Sequence, residues 1–191
     1  MVRIITKEEI SLDPRLVEQL KNSVFIYPTD TIYGIGCDAT REDLVQRVRD
    51  IKERQEQPFS IIIPNKALVY QHCEVDKMTD KVKPWMDKMP GPFTFIFRVK
   101  SRFFADNVIP GIDSIGIRIP NHWFFDVVKR MKVPIVTTSV NKSGEDFMTS
   151  LEDLNPDIRR QVDFIVEDGT LKGKPSTLVH FEKDGVETQE R

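Results

Sequence analysis

The feature that most constrains the fold of this chain is the alternation of short apolar runs with segments of helical spacing. Apolar, β-branched stretches predict strands at residues 24–27, 59–63, 93–99, 114–119, 134–140, 162–166 and 177–181. Helical periodicity lies between them, at Leu44, Val45, Val48 and Ile51 and again at Phe124, Val127, Val128 and Met131. Strands and helices mixed in this way favour an α/β or α+β fold in which helices cover a sheet.

The N-terminal part of the chain predicts a further helix. Pro14 precedes the apolar residues Leu16, Val17 and Leu20, and Asp13 is the predicted N-cap. The proline-glycine turns at 90–92 and 109–111 are too short to link domains. A length of 191 residues fits one core, so we expect a single domain spanning residues 1–191.

Charge and cysteine usage narrow the class of protein. A net charge of −2 argues against a protein that coats nucleic acid, so any nucleotide contact must come from a local basic site. Cys37 and Cys73 form no C-x-x-C pair and are expected to be reduced thiols. No apolar run has the length of a membrane span. We expect a soluble, cytoplasmic protein.

The first segment with chemical potential is residues 27–39, Tyr-Pro-Thr-Asp-Thr-Ile-Tyr-Gly-Ile-Gly-Cys-Asp-Ala. Hydroxyls and a carboxylate stand beside two glycines after a predicted strand. Such a loop either holds a small ligand or is a polar turn between strand and helix. Gly34 and Gly36 formally match a dinucleotide-binding pattern, but they lie too far after the strand for the tight turn that the pattern requires.

Lys52 and Arg54 are the second candidate site. They stand where a predicted helix gives way to an extended stretch, in which residues i and i+2 project to the same side. Both cations could therefore face one phosphate or carboxylate. The alternative is a solvated helix end at which cations complement the helix dipole.

Three further segments place polar groups on predicted strands. Ser139 and Asn141 share one face at the end of an apolar strand, which is where open α/β sheets bind ligands. Arg118 interrupts another apolar strand, so it either pairs with a structural carboxylate or points into a ligand cavity. Ser176 and Thr177 open the last predicted strand. Turn chemistry without function remains an alternative for Ser139 and Asn141.

The three histidines, His72, His122 and His180, show no metal-ligand spacing to one another or to the cysteines, so we predict no protein-held metal. No Ser-His-Asp or Cys-His grouping is evident either.

Taken in order, four motifs resemble the YrdC/Sua5 (TsaC) family of threonylcarbamoyl-AMP synthases. They are Tyr27-Pro-Thr-Asp-Thr-x-Tyr33-Gly-x-Gly36, Lys52-x-Arg54, Ser139-x-Asn141-x-Ser143-Gly144, and Ser176-Thr177. The resemblance runs from about residue 10 to the C-terminus. It implies an open, twisted sheet of mixed strand direction around a large, positively lined cavity.

The resemblance also implies an activity and its residues. The reaction would join L-threonine, bicarbonate and ATP into threonylcarbamoyladenylate and pyrophosphate, with Mg²⁺ on the phosphates, for modification of tRNA adenosine 37. Lys52 and Arg54 would be catalytic. The implied ATP-binding residues are Lys52, Arg54, Ser114, Ser139, Asn141 and Arg191, and the implied threonine-binding residues are Thr31, Arg118 and Ser176. A tRNA threonylcarbamoyltransferase would receive the product, and weak RNA binding is compatible with this role.

Two other functions stay open at this stage. A related domain occurs in hydrogenase-maturation carbamoyltransferases, so carbamoyl phosphate could replace threonine and bicarbonate. A non-catalytic RNA-binding module could use the same cavity, although the chain has no basic stripe of the kind that RNA binding favours.

Overall fold

Ten strands form one mixed sheet in the computed structural model, which describes residues 2–75, 79–142, 144–181 and 185–190. In chain order they are β1 (Arg3–Ile5), β2 (Phe25–Tyr27), β3 (Gly34–Gly36), β4 (Ser60–Ile62), β5 (Phe93–Arg98), β6 (Ser114–Arg118), β7 (Ile135–Ser139), β8 (Phe164–Val166), β9 (Thr177–Phe181) and β10 (Val186–Gln189). Across the sheet the order is β1-β8-β2-β3-β7-β4-β6-β5-β9-β10. Parallel and antiparallel neighbours both occur, for example β4 with β6 and β4 with β7. The expected open sheet of mixed strand direction is confirmed.

Helices pack on the two faces of this sheet. The α-helices of the described ranges are α1 (Lys7–Leu12), α2 (Arg15–Lys21), α3 (Glu42–Lys52), α4 (Ala67–His72), α5 (Thr79–Met86), α6 (Phe124–Met131) and α7 (Pro156–Gln161). Helices α1, α2 and α6 bury their apolar residues in one cluster, and α3, α4, α5 and α7 bury theirs in another. None of these helices combines the length and apolar character that crossing a bilayer requires.

The strands divide their side chains between the two clusters. Phe25 and Tyr27 of β2 pack with α2 and α6, whereas Ile26 packs on the other face. Ile61 and Ile62 of β4 divide in the same way. Successive strand residues point to opposite faces, so a sheet buried on both faces needs continuous apolar runs. This is why the strands were recognisable as runs without polar alternation.

The glycines of segment 27–39 belong to a strand. The sequence placed Gly34 and Gly36 in a loop, and this was wrong: β3 is a fully buried strand that pairs with β2 and β7. A Cβ atom on Gly36 would lie 1.8 Å from the carbonyl oxygen of Val136. Glycine therefore allows the close approach of two strands here, and the connecting loop is confined to residues 28–33.

The two edge strands were also missed. β1 pairs only with β8, and β10 pairs only with β9 in the described part of the chain. β10 is polar and largely exposed, so its sequence carries no apolar signal. Helix α2 begins at Arg15 with Pro14 at the N-cap position. Asp13 stands one residue earlier than a standard N-cap, yet its Oδ1 accepts the Arg15 backbone N–H at 3.0 Å.

Candidate functional site

A cavity of about 200 Å³ opens over the middle strands of the sheet, beside loop 28–33. Hydroxyl side chains dominate its lining: Thr29, Thr31, Ser60, Thr94, Thr137, Thr138, Ser139 and Ser176. The rings of Tyr33, Phe59 and Phe147 and the guanidinium groups of Arg54 and Arg118 complete most of the wall. Each of the five segments singled out in the sequence contributes at least one residue. The fold therefore brings distant motifs to one place.

The cavity is smaller than the resemblance implies. Ligand pockets typically measure about 300–1,000 Å³, so a large cavity is not what the structure has. Part of the space is taken by Arg54, whose side chain folds back so that Nη2 donates to the carbonyl oxygen of Pro58 at 3.0 Å. The lining contains two arginines and no carboxylate among the described residues. The positive character that the resemblance implies is therefore present, at modest strength.

Gly116 keeps the base of the cavity open. It lies in β6 between Ser60 and Thr94, and a Cβ atom there would lie 2.3 Å from Ser60 Oγ and 3.1 Å from Thr94 Cγ2. Any larger residue would push these two lining hydroxyls aside.

Arg118 combines both alternatives that its sequence left open. It lines the cavity and pairs with a carboxylate: Nη2 donates to Asp30 Oδ1 at 2.6 Å, in a pair whose side chains are 7% and 11% exposed. Asp30 Oδ2 in turn accepts the backbone N–H of Asn121 at 2.9 Å. Burial lowers the pKa of Arg118, and the Asp30 carboxylate opposes this shift. Nε of Arg118 is buried and has no hydrogen-bond partner among the described residues.

The hydroxyl of Thr31 lies between Arg118 and Thr29. Thr29 Oγ1 donates to the carbonyl oxygen of Ile32 at 2.7 Å, so in its 3.0 Å contact with Thr31 Oγ1 it must act as the acceptor. Thr31 Oγ1 therefore donates to Thr29 and accepts from Arg118, whose Nη1 and Nη2 are both 3.4 Å away. This network fixes the hydroxyl beside the guanidinium.

Arg54 is the second cation of the cavity. Its guanidinium carbon lies 5.6 Å from the centre of the Phe59 ring, and burial lowers its pKa. Nε has no hydrogen-bond partner in the described ranges. Arg54 thus keeps donor capacity next to the cavity.

Lys52 lies beside the cavity wall and does not line the cavity itself. Nζ is 2.6 Å from the carbonyl oxygen of Ser139, 2.5 Å from that of Asn141 and 2.8 Å from Asn141 Oδ1. An ammonium group has three donors, so these oxygens use all of them. Burial lowers the pKa of Lys52 to about 8, and the charge of Arg54 adds to the shift.

The expected geometry of Lys52 and Arg54 was wrong. They do not lie on an extended stretch, because Lys52 is the last residue of α3 and Glu53 adopts a left-handed conformation with φ of 50°. The reversal sends the two side chains to different surroundings. Lys52 is 3% exposed, which also excludes the solvated helix end that was the alternative for it.

Ser139 and Asn141 are joined by their side chains. Ser139 Oγ donates to Asn141 Oδ1 at 2.6 Å, and Asn141 Nδ2 donates to the carbonyl oxygen of Glu145 at 2.7 Å. The predicted shared strand face was wrong, because β7 ends at Ser139 and Asn141 lies beyond the strand, but the two side chains are in contact. Lys52 therefore connects the K-x-R segment to the S-x-N segment.

Ser176 lies in the wall, whereas the implied residues Ser114, Lys52 and Asn141 do not line the cavity. Ser176 is 1% exposed and its Oγ is 2.7 Å from Thr94 Oγ1. Ser114 begins β6, four residues from Arg118 along the strand, and does not line the cavity. Arg191 and Ser143 lie outside the described residues.

Sequence reasoning missed Arg49. It is 1% exposed and donates to five carbonyl oxygens, those of Arg54, Gln55, Gln57, Asn107 and Val108. It thereby fixes the loop that carries Arg54 against the segment before β6. The one available signal was its place in the apolar periodicity of α3, next to Val48.

Asp30 was also missed as a partner of Arg118. It stands inside the recognised motif, but sequence alone does not show which cation it meets. Among the described residues, no group of three or more His, Cys, Asp or Glu side chains is placed to hold a metal ion.

Known proteins resemble this chain in sequence. A family model for Sua5, YciO and YrdC proteins, described as telomere recombination, matches residues 19–189. A Methanocaldococcus jannaschii protein provisionally named a threonylcarbamoyl-AMP synthase is 34% identical over 176 residues, 88% of this chain and 79% of that protein. A Pseudoalteromonas atlantica threonylcarbamoyl-AMP synthase is 30% identical over 174 residues, 88% of this chain and 91% of that protein.

Solved structures share the fold. Sua5 of P. abyssi in complex with L-threonine superposes with a TM-score of 0.82 at 22% identity over 95% of this chain, which spans about half (54%) of that protein. E. coli YciO gives 0.84 at 20% identity over 100% of this chain and 96% of its own. HypF in a phosphate- and nucleotide-bound form gives 0.78 at 16% identity over 91% of this chain and 28% of its own. At these identities the likeness concerns the fold, whereas the family model covers most of the sequence, so this chain belongs to the Sua5/YciO/YrdC family.

Proposed function

We propose that this chain is a threonylcarbamoyl-AMP synthase, which makes threonylcarbamoyladenylate and pyrophosphate from L-threonine, bicarbonate and ATP. The observation that carries the proposal is the convergence of Thr31, Arg54, Arg118 and Ser139 on one cavity. The names of the two relatives, each at least 30% identical over 88% of this chain, support it.

The amino-acid end of the site is assigned to Thr31, Arg118 and Ser176. Arg118 lines the cavity, its Nε has no partner among the described residues, and its contacts with Thr31 are long at 3.4 Å. A guanidinium group suits a carboxylate, which accepts two parallel N–H bonds, and a small shift of Arg118 would present its donors to one. In this proposal Asp30 binds Nη2 of Arg118 and so sets its orientation.

The nucleotide end is assigned to Arg54, Lys52, Ser139 and Asn141. Arg54 would neutralise phosphate charge. Lys52 would act largely through the oxygens of Ser139 and Asn141 that it binds, and it reaches a phosphate itself only by giving up one of those bonds. Ser114 and Arg191 remain proposals as further ATP contacts, since a nucleotide extends well beyond a cavity of about 200 Å³.

The reaction suits residues that position and stabilise. Threonine's amine and CO₂ derived from bicarbonate form a carbamate. A carbamate oxygen then bonds to the α-phosphorus of ATP as the bond to the bridging oxygen breaks, and pyrophosphate leaves. Such an in-line transfer requires alignment and charge stabilisation rather than a covalent nucleophile. Arg54 and Arg118, which both line the cavity, would supply the positive charge.

Mg²⁺ would accompany ATP, neutralising phosphate charge and held mainly by phosphate oxygens and water. Asp30 does not suit it as a ligand, because both of its oxygens already accept hydrogen bonds. We further propose a cytoplasmic protein with one domain over residues 1–191 that passes its product to a tRNA threonylcarbamoyltransferase. Weak RNA binding would accompany that transfer.

Pyrophosphate release tests the reaction. The chain should release pyrophosphate from ATP when L-threonine and bicarbonate are both present, and omission of either should abolish release. Mass spectrometry should find threonylcarbamoyladenylate. The shared fold of HypF makes carbamoyl phosphate the appropriate competing substrate. Turnover with carbamoyl phosphate alone, without threonine, would replace this proposal with a carbamoyl-adenylating activity.

A further inference from the structure

The segment between β8 and β9 forms one wall of the cavity. Residues 167–176, here termed the wall segment, contain no helix or strand. Pro175 and Ser176 at its end line the cavity, and Ser176 Oγ lies 2.7 Å from Thr94 Oγ1 of β5. A segment without internal backbone pairing holds its position only through contacts with its surroundings.

Tyr33 makes such a contact at the start of the wall segment. Its hydroxyl donates to the carbonyl oxygen of Gly169 at 2.8 Å and accepts the backbone N–H of Asp168 at 2.9 Å. Tyr33 has no exposed surface and also lines the cavity. One phenol therefore binds the backbone of two successive residues of the wall segment.

His122 contacts the same part of the wall segment through the side chain of Asp168. Its Nδ1 accepts the backbone N–H of Phe124 at 3.3 Å, which leaves the ring proton on Nε2, and Nε2 lies 3.0 Å from Asp168 Oδ2. His122 follows Asn121, whose backbone N–H binds Asp30. The loop that holds the partner of Arg118 thus also holds the wall segment.

Close packing couples the wall segment to Thr31. A Cβ atom on Gly173 would lie 2.1 Å from the carbonyl oxygen of Thr31. The backbones of these two residues are therefore in direct contact, and movement of one displaces the other.

We propose that Tyr33 is a positioning residue which, with His122 and Asp168, fixes the wall segment and so determines the affinity for the amino-acid substrate. This inference rests on the proposed function, because it assigns the adjoining cavity end to threonine. When only a fraction of molecules has the wall in place, the apparent affinity for the ligand falls by that fraction. Saturating threonine restores the wall, so the maximal rate is preserved.

Tyr33→Phe tests the inference, with Tyr27→Phe as a matched control. Both tyrosines have no exposed surface, but the Tyr27 hydroxyl donates to the Val136 carbonyl oxygen in the sheet at 3.1 Å and does not touch the wall segment. We expect Tyr33→Phe to raise the KM for threonine roughly five- to tenfold, with kcat and the KM for ATP unchanged. Tyr27→Phe should leave all three near the wild-type values.

Hydrogen exchange separates this inference from the proposed function. Without any substrate, Tyr33→Phe should speed amide exchange in residues 168–173, and Tyr27→Phe should not. Asp168→Ala provides a second variant, partly exposed and outside the core, with the same expectations. Equal exchange in all four proteins, or a Tyr33→Phe loss confined to kcat, would overturn the inference. If the wild-type chain turns over at the same rate with and without threonine, the proposed function is refuted. The amide exchange rates would still show whether Tyr33 fixes the wall segment.

Discussion

Arg118 and Asp30 form a buried ion pair that joins β6 to loop 28–33, with Nη2 and Oδ1 2.6 Å apart across 88 positions of sequence. Asp30 binds Nη2 of the guanidinium, and Nε has no partner in the described ranges. A buried charge is tolerated when it is paired and hydrogen-bonded. Asp30 therefore stabilises the buried charge of Arg118, which would otherwise lack a paired carboxylate.

Replacing Asp30 should cost stability. We expect Asp30→Ala to lower the free energy of unfolding by about 1.5–3 kcal/mol, because Arg118 loses a charge-assisted hydrogen bond in a buried setting. Urea denaturation measures this loss. Asp113→Ala is the control, since it removes the exposed ion pair with Arg98 and should change stability little. Equal effects of the two substitutions would contradict the role of Asp30.

Lys52 should link stability to pH. Burial lowers its pKa from the ordinary 10.5 to about 8. Between these values the unfolded chain binds the proton and the folded chain releases it, so the free energy of unfolding rises with pH in that window. Below about pH 8 both states are protonated and the contribution stays constant.

We therefore expect wild type to gain about 1 kcal/mol or more over Lys52→Met between about pH 7.5 and about pH 9.5. Urea denaturation of both proteins at the two pH values gives this difference. A difference that is constant or falls with rising pH would show that burial does not lower the pKa of Lys52.

Arg49 should be one of the most sensitive positions for stability. Arg49→Met would leave up to five carbonyl oxygens without their donor, so we expect a loss of at least about 3 kcal/mol. Arg47→Met on the same helix removes a half-exposed ion pair with Asp163 and should have a much smaller effect. Thermal unfolding of the two variants measures the loss of stability in each. A similar loss for both would mean that Arg49 does not organise the Arg54 loop.

The fate of particular residues shows how far the sequence predicts this molecule. The seven predicted strands all exist because each carries a short apolar run that packs into the core, a signal that is local. β3 was missed because Gly36 serves a close contact with Val136, 100 positions away in sequence. From the sequence alone, Lys52 and Arg49 look like ordinary cations on the surface of a helix. Only tertiary packing shows that both are buried. The motifs predicted which segments meet, but not that Lys52 saturates its donors on Ser139 and Asn141.

The choice of amino acid tests the site most directly. The Thr31 hydroxyl already donates to Thr29, and Arg118 lies beside it, so a substrate in this corner meets oriented polar groups. A site that hydrogen-bonds a substrate hydroxyl rejects an analogue without it, because buried polar groups are then left unpaired. Serine keeps the hydroxyl and lacks one methyl group, which costs only about 1–3 kcal/mol.

The expected order of pyrophosphate release is therefore threonine, then serine, then 2-aminobutyrate, compared as kcat/KM at saturating ATP and bicarbonate. Thr31→Val keeps the shape of the side chain and removes its hydroxyl, so it should lower kcat/KM for threonine. If the substrate hydroxyl contacts Thr31, the variant should also narrow the gap between threonine and 2-aminobutyrate, since the preference depends on that contact. Tyr27→Phe, whose changed group lies in the sheet, should preserve the wild-type order. Equal rates with threonine and 2-aminobutyrate in wild type would place the hydroxyl-recognising groups elsewhere and remove Thr31 from that role.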